Sequence, residues 1–159
     1  MNYQMYKKSE IKKISRYWIR QAEIIEWKKK PSTAVVFKKD SINWYPDGKA
    51  SVFYNCIIKN LKLGLGNKTA IYYLNERGTL NEISYKNLLF KINKFCNFIE
   101  SKIIKKKIEN IKIMIHASAG LDTSVAMLAC TKLGIHFCVV FKELKIEAIK
   151  KRIDLFCPD

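Results

Sequence analysis

The sequence predicts an α/β protein in which N-terminal helices and a small hairpin precede a strand, a helix and a second, parallel strand. Three observations carry that prediction. Apolar residues alternate at Ile111, Ile113 and Ile115; a helical stripe follows through Leu121, Val125, Leu128 and Ala129; and His136 to Phe141 is a short, almost continuous apolar run. Both flanking lengths suit strands covered by helices.

Near the N-terminus, Tyr17, Trp18 and Trp27 accompany Ile14, Ile24 and Ile25 in a helical pattern, which reads as packing aromatics. Ser32 to Asp47 is the most irregular stretch, and Trp44-Tyr45 leads into the turn sequence Pro46-Asp47-Gly48. Ala70 to Leu74 reads as a strand, Asn75 to Gly78 as a hairpin turn, and Leu80 to Tyr85 as the returning strand. From Tyr85 to Ile103 the pattern is helical, with Leu88, Leu89, Ile92, Phe95, Cys96 and Ile99 on one face. Lys86, Lys91 and Lys94 fall on the opposite face, as on a solvated helix. Lys102 to Asn110, which includes the run Lys105 to Lys107, is the most charged connector, and the chain shows no convincing domain linker or internal repeat.

In the C-terminal unit, Ala126, Cys130 and Leu133 broaden the helical stripe. Asp122 sits in the first turn, where a carboxylate meets the positive end of the helix dipole, and Gly134 stands where a left-handed cap residue is expected. A strand–helix–strand crossover of this kind is right-handed almost without exception, and its helix packs on one sheet face.

These residues carry a resemblance. VAMLACTKLG at 125–134, VVF at 139–141 and EAIKKRID at 147–154 resemble the N-terminal region of the short-chain acyl-CoA synthetases, the acetyl-CoA and propionyl-CoA branch of the adenylate-forming enzymes. YWIRQAEIIEWKKKP from Tyr17 to Pro31 is similar to that branch's opening helix and Trp-containing exit. WYPDGKASVFYNCIIKN from Trp44 to Asn60 resembles its segment around a Tyr-Asn-Cys triplet, and ISYKNLLFKINKFCNFI from Ile83 to Ile99 its Tyr-led long helix. The four blocks keep the family's order and cover most of the chain. The resemblance implies part of a larger N-terminal domain of an adenylate-forming enzyme, with residues 1–60 as a helical and irregular entry and 61–159 as the start of the sheet region.

Departures from the family pattern fall at the ends of the two strands. The family leaves its first strand through a proline-containing loop, whereas this chain has Ala117, Ser118, Ala119 and Gly120, implying a more flexible exit. The family's His before VVF aligns with Phe137; His136 is displaced by one position and therefore faces the other side of the strand. After VVF the family has a glycine pair and Phe in a turn near the CoA nucleotide; here Lys142, Glu143 and Leu144 follow. Lys142 and Glu143 are the candidate residues near CoA. Lys142 has two readings, a cation that attracts a phosphate and an ordinary solvated turn lysine, of which the second is the commoner.

No catalytic residue transfers onto this sequence. The family's Ser/Thr/Gly-rich phosphate loop supplies backbone donors and a cation to ATP, and nothing here resembles it; Gly64-Leu65-Gly66 is too short a signal. For a complete family member the resemblance implies ATP, Mg and CoA, and a reaction joining a small carboxylate to AMP before transfer to the CoA thiol. For this chain it implies scaffold and one edge of the CoA approach, inactive in isolation.

Composition sets the remaining bounds. A chain of 159 residues with 48% hydrophobic content builds one domain, burying about 70% of its unfolded surface. A sheet begun but not extended exposes strand edges and apolar faces, so a partner surface is expected: the remainder of a synthetase chain or a complementary polypeptide. The net charge of +16 invites a nucleic-acid reading, but the basic residues are mostly Lys scattered over every element, without a basic-aromatic RNA-binding signature. Base-composition bias in the coding DNA accounts for the abundance of Lys, Ile and Asn, while nonspecific attraction of polyanions, nucleotides and CoA remains open.

Cys56, Cys96, Cys130, Cys138 and Cys157 are isolated, with no paired metal-ligand spacing, and the two histidines do not supply one. Cys96 and Cys130 lie on apolar helix faces, where a buried structural thiol is expected. Reduced cysteines, no signal-peptide pattern and no membrane-length apolar run together give an expected cytoplasmic location. Two other function classes stay beside the synthetase reading: a noncatalytic interaction module docking on a synthetase or related chain, and a basic nucleic-acid-binding domain, placed last.

Overall fold

Aromatic packing and short backbone ladders build the first part of the chain, and a mixed helix–sheet core builds the second. The computed structural model describes residues 8–38, 41–75, 77–106 and 110–159. The described residues up to Ser51 and those from Val52 onward form two compact units.

The first unit opens with α1 (Lys8–Gln21), whose Ile11, Ile14, Ser15 and Ile19 turn inward at helical spacing. A single 3-10 turn, Ala22–Ile24, ends it, and Trp27 then begins β1 (Trp27–Lys29), so the expected helical pattern through Trp27 is broken. The indole Nε1 instead donates to the Ala22 carbonyl at 2.9 Å, fastening the strand back on the helix end. The stretch read as irregular contains a hairpin, β2 (Val35–Phe37) against β3 (Ile42–Trp44), with Val35 opposite Trp44. Three-residue strands are too short to show alternation, which is why pattern alone passes over them.

Buried Ala34 lies at the meeting of these pieces. Its amide donates to Ser15 Oγ at 2.9 Å, and its carbonyl accepts from the Tyr45 amide at 2.7 Å. The expected turn follows: the Gly48 amide donates to the Tyr45 carbonyl at 2.9 Å, leading into β4 (Lys49–Ala50), which pairs antiparallel with β1.

The second unit starts with a helical segment in which Tyr54–Ile58 is wound as a π-helix before continuing as α2 (Lys59–Lys62). The hairpin predicted downstream is present: β5 (Thr69–Leu74) pairs antiparallel with β6 (Leu80–Ser84), Leu74 opposite Leu80. Glu76 of its turn lies outside the described residues. Helix α3 (Tyr85–Lys106) follows immediately and runs beyond the Ile103 boundary expected from the apolar pattern; of the charged connector, residues 107–109 lie outside the described residues.

The predicted strand–helix–strand unit is present as β7 (Lys112–Ala117), α4 (Leu121–Leu133) and β8 (His136–Phe141). The strands are parallel and in continuous register from Lys112 opposite His136 to Ala117 opposite Phe141. Gly134 closes α4 in the left-handed conformation (φ 71°, ψ 25°), and its amide returns to the Cys130 carbonyl. Helix α5 (Ile146–Phe156) completes the unit.

The core sits where α3 meets α4. Leu88, Ile92, Cys96 and Ile99 are buried at helical spacing against Phe53, Ile57, Ile83, Val125 and Ala129. A second cluster, Ile115 with Ala126 and Cys130, takes Ile113, Ala117, Phe137 and Val139 against it, so the odd-numbered positions of both strands face α4 as the alternation predicts. Fully burying a side chain such as Leu88 or Ile92 contributes about 1.5–3 kcal/mol of transfer free energy.

Candidate functional site

The carboxyl ends of β7 and β8 are where an open parallel sheet presents loops to a ligand. At the end of β7, Thr123 is buried and its Oγ1 donates to the Ser118 carbonyl at 2.7 Å. The Ser124 amide and hydroxyl both donate to the Gly120 carbonyl at 3.1 Å. The first turn of α4 thus ties the Ala117–Gly120 loop at two points, one of them through a buried threonine that the apolar stripe did not single out. Asp122 lies in that first turn and is exposed.

At the end of β8 the chain makes a tight turn in which the Leu144 amide donates to the Phe141 carbonyl at 3.3 Å. Lys142 and Glu143 occupy its corner and are both exposed, as is Phe141. The turn therefore offers one ammonium and one carboxylate side by side. Lys142 can attract an anion there, but Glu143 opposes it at close range.

Strand alternation separates His136 from Phe137. His136 is exposed and lines a small hollow with Asn110, Ile111, Leu133, Gly134 and Ile135. Phe137 lines the large groove of this unit, about 700 Å³, on the other side. Val52, Cys56 and Asn60 form one wall of that groove, Ser124, Met127 and Thr131 another. Ile57, Leu88 and Leu128 lie among them. Its lining is apolar with a few hydroxyl, amide and thiol groups, a surface suited to covering by apolar groups rather than to acid–base chemistry. The sequence held one signal of it, the out-of-stripe Met127, which is exposed. The rest is assembled from segments far apart in the chain.

The cysteines divide as the sequence predicts. Cys96 and Cys130 are buried, and Cys96 Sγ approaches the Ala129 carbonyl at 3.9 Å. Burial raises both thiol pKa values; Lys132 opposes the shift at Cys96, and neighbouring Cys96 adds to it at Cys130. Neither is a nucleophile at neutral pH. Cys56 and Cys157 are exposed and Cys138 half-buried. Among the described residues, no group of three or more His, Cys, Asp or Glu can hold a metal ion, and no helix is long and apolar enough to cross a membrane.

In the first unit, Trp18 meets Tyr17 and Trp44 edge-on at 5.3 and 5.6 Å, and Trp27 lies tilted against Tyr45 at 5.3 Å. The Tyr45 hydroxyl donates to the Trp18 carbonyl at 3.0 Å. These rings are engaged with one another, although Tyr17, Trp18 and Trp44 keep substantial exposed surface. The Asp47 carboxylate accepts the Ser32 amide with both oxygens at 3.1 Å, and its hydrogen bonds with Ser32 hold its pKa below 3.8.

Residues 3–56 match the family model described as "Acetyl-coenzyme A synthetase N-terminus". The chain is 36% identical over 154 residues to the acetyl-coenzyme A synthetase of Bdellovibrio bacteriovorus, covering 94% of this chain and 23% of that protein. It is 33% identical over 140 residues to the acetyl-coenzyme A synthetase of Cupriavidus metallidurans, covering 86% of this chain and 21% of the relative. The chain thus spans about a fifth of the length of these curated relatives. Among solved structures, the crystal structure of CmiS6 superposes with a TM-score of 0.58 at 19% identity, over 68% of this chain and 25% of that one, a likeness of fold. The match to the N-terminal family model and the relatives aligned along nearly the whole sequence place the chain in the acetyl-coenzyme A synthetase family, where it corresponds to the N-terminal region.

Proposed function

We propose that this chain is the N-terminal portion of an ATP-dependent acyl-CoA synthetase, a carboxylate–CoA ligase of the acetate/propionate type that works through an acyl-AMP. The observation that carries the reading is the alignment with acetyl-coenzyme A synthetases over 86–94% of the chain. In that reading 1–159 is part of the enzyme's N-terminal domain, 1–60 its helical and irregular entry and 61–159 the start of its sheet region. ATP, Mg, CoA and a small carboxylate belong to the complete enzyme, which works in the cytoplasm.

This chain's own residues supply scaffold. The α3–α4 core fixes β7 and β8, and these set the positions of the Ala117–Gly120 loop and the Lys142–Glu143 turn. Lys142 and Glu143 form one edge of the CoA approach, with Lys142 drawing the anionic nucleotide and Glu143 limiting how tightly a phosphate is held. The remainder of the synthetase, within the same chain or as a complementary polypeptide, brings the phosphate loop and the groups that act on the carboxylate.

Substrate-dependent exchange of pyrophosphate into ATP tests this division. The chain alone gives no exchange above background. Mixing it with the segment of the Bdellovibrio enzyme that follows the aligned region restores exchange dependent on acetate or propionate. Exchange by the chain alone refutes the assignment of a scaffold role, and its absence from a mixture that forms a complex refutes the assignment to a synthetase.

A further inference from the structure

Helix α1 carries its cations on the side turned away from the rest of the first unit. Ser15 faces inward: its Oγ accepts the Ala34 amide at 2.9 Å and shares a 2.9 Å hydrogen bond with Thr33 Oγ1. At helical spacing Lys12, Arg16, Arg20 and Lys13 fan over about 100° of the helix surface, with Arg20 and Lys13 farthest from Ser15. All four are exposed. Glu10 and Glu23 flank α1, but no carboxylate falls from Ile11 to Ala22. Among the described residues, none of these four side chains has an ion pair or a hydrogen bond.

Such an arrangement works against the isolated fold. Lys12, Arg16 and Arg20 follow one another at four-residue steps of about 6 Å, the spacing at which like charges destabilise a helix. The β1–β4 ladder repeats the conflict, since Lys29 stands directly opposite Lys49, with Lys28 and Lys30 on either side. Asp47 feels the Lys29 charge, but both its oxygens accept the Ser32 amide. Residues 1–51 hold twelve Lys and Arg against five Asp and Glu, a net charge of +7. Coding bias accounts for abundant Lys; it does not account for Arg16 and Arg20, two of the chain's four arginines, one above the other on one helix.

We infer that the outer face of α1 binds single-stranded nucleic acid, without base specificity, through the Lys12–Arg16–Arg20 row and the exposed rings beside it. Charge complementarity sets the anionic class: an unpaired row of cations on one helix side matches a row of phosphates, and Arg grips each phosphate through its planar fork. The rings narrow it. Tyr17, Trp18 and Trp44 are 56%, 41% and 48% exposed, and their edge-on packing leaves ring surface open for bases that are not already stacked in a duplex. An acidic protein segment has no such flat groups to lay on them. A lipid surface fits less well, because in-plane insertion needs the apolar side of α1, and the Ser15 bonds to Thr33 and Ala34 hold that side on the unit. The sequence alone shows lysines scattered over every element; the helix gathers these four cations, and the fold brings Trp44 to Trp18.

The test titrates the full chain with a labelled oligouridylate of ~12 nucleotides, within the usual range of single-strand sites. Four neutralised phosphates give a log K against log salt slope of about −2.8, so affinity falls about 50-fold between 50 and 200 mM salt. Tryptophan fluorescence is quenched on binding, because all three tryptophans lie in this unit. Arg16→Gln/Arg20→Gln, exposed changes to a good helix former, halve the slope to about −1.4 and the same salt step to about sevenfold. Lys86→Gln/Lys91→Gln remove two exposed cations from α3 and leave the slope as in the unaltered chain. Equal losses in the two double variants overturn the inference, since net charge alone then explains the binding. Binding without a change in tryptophan fluorescence overturns it as well. So does an oligoglutamate of equal charge, or a phosphatidylserine vesicle, that binds as tightly as the oligonucleotide at the same salt.

Discussion

Replacing Gly48 by alanine tests how the first unit is packed. A Cβ at this position meets Trp27 Cζ3 at 2.7 Å, about 0.7 Å inside the 3.4 Å at which ordinary contact begins, and meets Trp27 Cε3 and Pro31 Cβ at 3.2 Å. The indole cannot swing away freely, because its Nε1 is held by the Ala22 carbonyl and its ring lies against Tyr45. Overpacking of this kind costs about 1–3 kcal/mol. Loss of glycine's freedom in the unfolded chain offsets about 0.4–1 kcal/mol of that. With a urea slope near 1 kcal/mol/M for so small a unit, the midpoint falls by up to roughly 2.6 M, about 1.3 M at the centre of these ranges. All three tryptophans, Trp18, Trp27 and Trp44, precede Ser51, so urea unfolding followed by tryptophan fluorescence reports this unit. Gly66→Ala, whose Cβ meets only Leu61 Cδ2 at 3.5 Å, is the control and leaves the fluorescence midpoint unchanged. A Gly48→Ala midpoint above that of wild type refutes the packing derived for the Trp27 turn.

Ile92→Ala removes a side chain with 0% exposure at the α3–α4 contact and destabilises the second unit by about 2–5 kcal/mol, read from hydrogen exchange of α4 amides. Iodoacetamide at pH 8 modifies Cys56 and Cys157 in the native chain and spares Cys96 and Cys130 until denaturant is added, as peptide mass analysis will show. Because burial raises the Cys96 and Cys130 pKa values, the folded state holds their protons more tightly than the unfolded state. Their contribution is therefore fully present below the ordinary value of 9.0 and is lost as pH rises from there through the raised values. Cys96→Ala/Cys130→Ala flattens that alkaline loss in a pH series of urea midpoints, and an unchanged slope contradicts the assignment. Asp47 has the opposite sign: its pKa lies below 3.8, so its contribution is present above 3.8 and is lost as pH falls through the lowered value. Asp47→Asn reduces the acid-side loss in tryptophan-monitored unfolding.

The parts of the fold legible in the sequence were those with a period long enough to repeat. Ile111 to Phe141 showed two strand patterns around a helical stripe, and α3 repeated its apolar face from Leu88 to Ile99. Shorter devices were not legible. β2 and β3 have three residues each, and their pairing is secured by Ala34 and Tyr45 rather than by alternation. The π-helical Tyr54–Ile58 follows from no residue preference, since its wider winding depends on what packs around it.

Site residues divide in the same way. His136 and Phe137 were separable from strand alternation alone, and they line different hollows. The Lys142–Glu143 turn was legible as a turn, with its partner chemistry supplied by resemblance. The large groove was not legible, because residues from Val52 to Phe137 meet in it only through tertiary packing. The anchoring of Asp159 on Lys112, 47 residues away in sequence, was likewise invisible to any local pattern.

The central claim is that this chain fulfils the role of a synthetase's N-terminal region, and exchanging that region tests it most directly. In the Bdellovibrio acetyl-coenzyme A synthetase, the aligned N-terminal segment is replaced by residues 1–159 and acetate-dependent ATP–pyrophosphate exchange is measured. The account predicts exchange well above that of the same enzyme lacking the segment. A folded chimera, verified by circular dichroism and hydrogen exchange, that gives no more exchange than the truncated enzyme contradicts it.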